Sequence, residues 1–221
     1  MSFISDAVNF VLHVDKFLTY LIQVFGNWTY VILFAIVFCE TGLVVTPFFP
    51  GDSLLFVAGA LASSGSLDIL FLFLTFCAAA IIGDTVNYWI GSFIGPRLFK
   101  SEKSRIFKKE YLERTHDFFE KYGGNAIILG RFVPVIRTFA PFVAGIGKMR
   151  YRKFLAYNVV GGVAWVSLFL LAGYYFGTLQ IVRDNLSYVI IAIILVSFIP
   201  PVAEFLKHWR KSGNKTVKQG K

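Results

Sequence analysis

Stretches without a single charged side chain, long enough to cross a lipid bilayer, recur along this chain. Phe154–Gln180 and Leu186–Ala203 contain no Asp, Glu, Lys or Arg. Phe17–Cys39 contains none either and is interrupted only by Gly26-Asn27, while Ile69–Ile94 carries one charge, Asp84. A spanning helix needs roughly 20 predominantly apolar residues to cross the hydrocarbon core. Charged residues make up 16% of the chain, against about 25% in a typical soluble domain. Backbone polar groups in lipid must be satisfied within the protein, which restricts such runs to helices unless a barrel closes. The expected fold class is therefore an all-α polytopic membrane protein. The N-terminal MSFISDAVNF lacks a basic segment followed by an apolar core and a small-residue cleavage site, so the first apolar run is expected to stay in the fold. Cys39 and Cys77 lie in apolar sequence as small fillers, with no disulfide framework and no metal-ligand spacing.

Two of the apolar stretches are broken by proline and carry ionisable residues in pairs. The first has Glu40, then Pro47, Pro50, Gly51 and Asp52, and closes on Ala58-Gly59. The second has Arg131, Pro134, Arg137 and Pro141, and closes on Ala144-Gly145. Proline removes a helical donor and clashes with the preceding turn. Non-helical backbone at membrane depth survives only where protein or a water-filled cavity surrounds it. Each stretch therefore reads as a re-entrant helical hairpin. Each is followed by a long helix ending in Gly-x-x-x-Gly, Gly91 and Gly95 in one half, Gly173 and Gly177 in the other. Such small-residue spacing permits close helix approach. The expected architecture is an inverted repeat of two re-entrant helical hairpins, each followed by a spanning helix, plus a last spanning helix over Ser187–Ala203.

Around this frame, residues 1–26 read as an amphipathic or interfacial opening helix broken at Gly26-Asn27, with Trp28 and Tyr30 as interfacial anchors. Asp68 is placed to cap the long helix that ends near Gly95-Pro96, and Arg97–Lys121 reads as a helix on the membrane surface. Arg183-Asp184-Asn185 reads as a turn. One membrane domain is expected over 1–206, with a first repeat at about 28–96 and a second at about 122–178, followed by a basic tail at 207–221.

The net charge of +9 is distributed as a topology signal. Basic residues gather in Arg97–Lys121, Lys148–Lys153 and Lys207–Lys221, and Lys16 is the one basic residue before Arg97. By the positive-inside rule the three clusters, including the C-terminal tail, face the cytoplasm, against anionic phospholipid. Nucleic acid is not an expected partner. The second hairpin, flanked by basic clusters, would enter from the cytoplasm and the first from the opposite side, so that their tips meet near the midplane as in many secondary transporters. That brings Glu40 and Asp52 toward Arg131 and Arg137.

Ionisable residues inside membrane segments are costly and mark pathways or binding sites. Arginine stays charged and offers a planar fork of donors that matches phosphate or carboxylate oxygens. A carboxylate that alternates between protonation and pairing with arginine can couple transport to protons. Arg131 and Arg137 are the candidate phosphate-binding residues, and Glu40 and Asp52 the candidate proton-coupling residues. The simpler alternatives are ion pairs that only fix the fold, and Asp52 acting as a helix cap. Asp84, with Asn87 and Tyr88 nearby, forms a second-tier polar spot, joined by Asn158. Asn158 and Trp165 read first as packing groups. No metal site, no cofactor and no nucleophile–base constellation is evident, so an enzyme is not expected.

The motifs Phe38-Cys39-Glu40-Thr41-Gly42-Leu43 with Pro50-Gly51-Asp52-Ser53, and Gly130-Arg131-Phe132-x-Pro134-x-x-Arg137-Thr138-Phe139-x-Pro141-x-x-Ala144-Gly145, resemble those of the bacterial DedA family, which carries the SNARE-associated or VTT domain. The resemblance covers nearly the whole chain. It implies a multi-pass protein of the bacterial inner membrane with two re-entrant hairpins. It also implies a family divided in substrate. Members resembling this one return undecaprenyl phosphate, a polyprenyl-phosphate lipid carrier, across the membrane. Others are described as proton-coupled transporters linked to envelope stress and drug resistance, and eukaryotic relatives scramble phospholipids. The family's essential acids match Glu40 and Asp52, and its essential arginines Arg131 and Arg137. The expected function is proton-coupled translocation of a polyprenyl phosphate. Its rivals are a proton-coupled exporter or antiporter of small cations or drugs, a phospholipid scramblase, and a non-transporting envelope assembly factor. An oligomer is compatible with each.

Overall fold

The computed structural model describes residues 14–43, 51–98, 124–186 and 188–193. Among the described residues every regular element is helical: α1 (Val14–Phe25), α2 (Thr29–Gly42), α3 (Gly51–Ser63), α4 (Ile69–Leu98), α5 (Asn125–Gly130), α6 (Pro134–Ile146), α7 (Tyr151–Phe176) and α8 (Gln180–Asp184). Three stretches are long and apolar enough to cross a membrane: Val14–Gly42, Ile69–Ile94 and Tyr151–Phe176. The first joins α1 and α2 through a 3-10 turn at Gly26–Trp28, where Gly26 takes a φ of +51°. A glycine tolerates that left-handed conformation, so Gly26-Asn27 bends the run and the opening helix continues into the next. α1 buries Val14, Leu18 and Leu21, one face of a helix, in the main core.

Asp68 caps α4 as its sequence position predicts, its Oδ1 accepting from the backbone N–H of Leu70 at 2.8 Å and of Phe71 at 3.0 Å. α4 runs through Gly95-Pro96 to Leu98, past the expected end. Arg183 and Asp184 belong to the short α8, and the turn begins only at Asn185. Pro141 also sits within a continuous helix, α6, and does not break it. The expected surface helix over Arg97–Lys121 lies, beyond Leu98, outside the described residues, as do the first hairpin tip at 44–50, the last span beyond 193 and the tail at 207–221.

The two halves pack across each other. α3 lies along α7, α6 lies along α4, and α2 also packs on α4. Backbones meet at glycines in matching positions. A Cβ on Gly59 would fall on the carbonyl oxygen of Leu170, and one on Gly173 on that of Phe56. In the other half, a Cβ on Gly145 would fall on the carbonyl oxygen of Tyr88, and one on Gly91 on that of Phe142. The Ala-Gly that closes each broken stretch thus rests on the glycine-bearing helix of the opposite half. Without side chains between them, the helix axes approach closely enough for dispersion contacts to hold them where lipid offers no hydrophobic drive. This packing carries the two broken stretches to one polar centre.

Candidate ion-pair centre between the two broken stretches

The second break has a local cause. Pro134 opens α6 at its first turn, where its missing N–H costs nothing. It holds the preceding Val133 extended, at φ −115° and ψ 112°. Arg131 follows the end of α5 just before this bend, and Arg137 lies within α6 just after it, so the two arginines reach different neighbours. In the first half Glu40 lies in the last turn of α2 and Asp52 in the first turn of α3. The backbone N–H of Gly51 donates to Glu40 Oε1 at 3.2 Å, which satisfies one of the open donors at the start of α3. A Cβ at position 51 would meet the Glu40 carboxylate, which would have to shift to make room.

Arg137 takes both acids of the first half. Its Nη1 donates to Asp52 Oδ1 at 2.7 Å and its Nη2 to Glu40 Oε1. Trp165 of α7 completes this cage. Its Nε1–H donates to the same Asp52 oxygen at 2.9 Å, and the Arg137 guanidinium lies over its ring, 4.8 Å from the centroid. Glu40 is 1% exposed, Arg137 4% and Asp52 8%. Four helices, α2, α3, α6 and α7, therefore meet on one guanidinium.

Arg131 does not join that cage. The expectation that both arginines face both acids is corrected here: Arg131 Nη2 donates to Asp84 Oδ2 of α4 and to Asn158 Oδ1 of α7. Asn158 in turn donates from Nδ2 to the Ile81 carbonyl at 3.0 Å and to Thr85 Oγ1 at 3.5 Å. Asp84 and Asn158, second-tier candidates by sequence, are thus direct partners of Arg131, and Asn158 is more than a packing group. Tyr88 lies apart from both cages. Its hydroxyl donates to the Met149 carbonyl at 2.5 Å, and its ring stacks on Phe154 with centroids 4.5 Å apart.

Two residues matter more than their sequence positions suggested. Trp165 follows Asn158 by seven residues, two helical turns on one face, so α7 supplies one polar contact to each cage. A buried tryptophan N–H needs an acceptor, and that requirement was the available signal. Asn87 is fully buried and bridges the halves. Its Nδ2 donates to the Thr41 carbonyl at 3.1 Å and to the Thr138 carbonyl at 2.7 Å. Those carbonyls directly follow Glu40 and Arg137, so one side chain of α4 fixes the spacing of the principal ion pair. Trp165→Phe should keep the packing and remove a donor to a charged acceptor. The expected loss is about 1.5–3 kcal/mol, seen as a lower unfolding temperature of the protein in detergent.

Buried guanidinium–carboxylate clusters at breaks in apolar helices define a multi-pass membrane protein with a polar centre. The VTT domain family matches residues 49–175, which include Asp52, Asp84, both arginines, Asn158 and Trp165. The chain is 55% identical over 212 residues to Protein DedA of Escherichia coli, covering 95% of this chain and 97% of that protein. It is 46% identical over 193 residues to an uncharacterized membrane protein of Mycobacterium tuberculosis, covering 86% and 85%. It is 33% identical over 148 residues to Inner membrane protein YqjA of Escherichia coli, covering 67% of each. No solved structure matches. The chain belongs to the DedA family of VTT-domain membrane proteins.

Proposed function

We propose that this protein moves a polyprenyl phosphate, undecaprenyl phosphate in the first instance, between leaflets of a bacterial inner membrane, coupled to protons. The observation that carries it is the Arg137 cage, in which one buried guanidinium is shared by acids from the first broken stretch. A guanidinium is the side chain best shaped to exchange a pair of carboxylate oxygens for phosphate oxygens. In this reading the phosphate displaces Glu40 and Asp52 from Arg137 and engages Arg131. The two freed carboxyls, left in a low-dielectric site without their partner, take up protons. Release of the phosphate returns them to the arginine and expels the protons. The chain's own residues suffice for these steps, with no enzyme chemistry and no cofactor.

The two broken stretches would be re-entrant hairpins of an inverted repeat, entering from opposite sides with the C-terminus in the cytoplasm. The basic segments would rest on anionic phospholipid. The reciprocal glycine contacts support a repeat, since each half uses the same positions to meet the other. The name of one relative, Inner membrane protein YqjA, supports the choice of membrane.

The test is reconstitution into vesicles with a leaflet-translocation assay. The wild-type protein is expected to move polyprenyl phosphate above empty vesicles, faster with a pH gradient, and to move ordinary phospholipid less. Folded protein that moves no polyprenyl phosphate sinks the reading. Proton-driven cation transport that survives loss of both arginines but not Glu40→Gln would replace it with an antiporter.

A further inference from the structure

Among the described residues, three acidic and two basic side chains are buried within the helical body: Glu40, Asp52, Asp84, Arg131 and Arg137. With each in its ordinary state near neutral pH, three carboxylates face two guanidiniums and one negative charge is in excess. The adjoining segment 44–50 contains no charged residue. An uncompensated charge in such a place is strongly disfavoured, and a buried group in that position neutralises instead. One bound proton removes the excess.

Hydrogen bonding distinguishes the three acids, because donors aimed at a carboxyl favour its charged form. Glu40 accepts from Arg137 and from the Gly51 N–H. Asp52 accepts from Arg137 and from Trp165. Asp84 accepts from Arg131 alone, through a nitrogen shared with Asn158. Its other oxygen, Oδ1, is buried without a partner, as is Glu40 Oε2, but Asp84 also has a buried acceptor without a partner on its own helix, Asn87 Oδ1. Asp84 and Asn87 are three residues apart on α4, which makes them neighbours on one face. An amide oxygen can only accept, so the spare acceptor beside Asp84 suits a carboxylic acid and not a carboxylate. Of the groups around Asp84, Arg131 bonds to it, and Asn158 accepts from the same Arg131 nitrogen. Glu40, on α2, and Asp52, on α3, are engaged by Arg137. Cys77 and Tyr88 are the other ionisable side chains of its own helix over Ile69–Ile94.

We propose that Asp84 is a third proton site, which in the empty protein holds one proton on Oδ1 and donates it to Asn87 Oδ1. Arg131 then faces a neutral carboxyl, and its charge is left for an anionic headgroup. The proposal rests on the transport reading for its purpose, but the proton itself is present without any substrate.

Infrared spectroscopy of the full chain, purified in an ester-free detergent near neutral pH, tests it directly. A protonated carboxyl gives a carbonyl-stretch band that a carboxylate lacks. The band is expected to shift when aspartate carboxyls carry carbon-13, and to stay when glutamate carboxyls do. These measurements need no substitution. The band is expected to vanish in Asp84→Asn, to take its isotope shift from labelled glutamate instead of labelled aspartate in Asp84→Glu, and to move to higher wavenumber in Asn87→Ala. Absence of the band, a shift with labelled glutamate in the wild type, or survival in Asp84→Asn overturns the proposal. An unmoved band in Asn87→Ala removes Asn87 from it. An Asp84 band in a protein that moves no lipid would leave this inference standing and end the transport reading. Lipid movement with no such band would do the reverse.

Discussion

Arg137→Gln is expected to be the most damaging single exchange in the protein. It leaves Glu40 and Asp52 buried with no counter-charge, and removing one partner of a buried pair costs about 3–5 kcal/mol. The cost falls on four helices at once, since Arg137 in α6 touches residues of α2, α3 and α7. Thermal unfolding in detergent, followed by size-exclusion chromatography, should show a large drop in unfolding temperature or a loss of monodisperse protein. Arg137→Lys keeps the charge but not the fork. An ammonium cannot hold the two carboxylates in the same geometry, so intermediate stability with transport abolished is expected. The triple variant Arg137→Gln, Glu40→Gln, Asp52→Asn carries no net buried charge at this cage and should recover much of the stability while remaining inactive. A single Arg137→Gln protein as stable as wild type would show that the acids are not held by this arginine.

The second large effect is steric. Gly173→Ala places a methyl group on the Phe56 carbonyl, and Gly91→Ala places one on the Phe142 carbonyl. Backbone, unlike a flexible side chain, cannot swing aside, so the helices must separate. Overpacking ordinarily costs about 1–3 kcal/mol, and these sites should lie at or above the upper end because two helices move together. The two substitutions should act alike, as matching positions in the two halves. Leu168→Ala, on the same helix as Gly173 but 54% exposed, should change little. Stability measured in detergent for the three variants checks the whole pattern. Equal tolerance of alanine at 173 and 168 would contradict the close approach.

The breaks, the charges and the small-residue positions were legible in the chain because each violates what a spanning helix wants. A proline, an arginine or a recurring spacing of glycines within apolar sequence stands out against its surroundings. Which charge meets which was not legible. α2, α4 and α7 are apolar nearly all round, and a helix without a polar face gives no sign of its rotation. The sequence therefore ranks Asp84 second and points Arg131 toward Glu40 and Asp52, whereas in the fold Arg131 pairs with Asp84. The bend at Val133 sends the two arginines to different helices, and only the three-dimensional path makes that visible. Trp165 was hidden for a related reason. The need of a buried indole N–H for an acceptor applies to every tryptophan alike, and only the fold shows which one meets a carboxylate.

The crossed packing of the halves also constrains how the protein is made. Glu40 lies 97 residues before the Arg137 that neutralises it, and Asp52 lies 113 residues before Trp165. Chains are synthesised from the N-terminus at about 5–20 residues per second. For several seconds after α2 and α3 leave the ribosome, the first broken stretch therefore holds two acids with no arginine, and Gly59 has no helix to rest on. In that state the two acids are costly in the bilayer core unless they are protonated, sheltered by other protein or held near the surface. Completion of α7 supplies the missing cation's neighbours and the missing helix together, so the final topology is a property of the whole chain and not of either half.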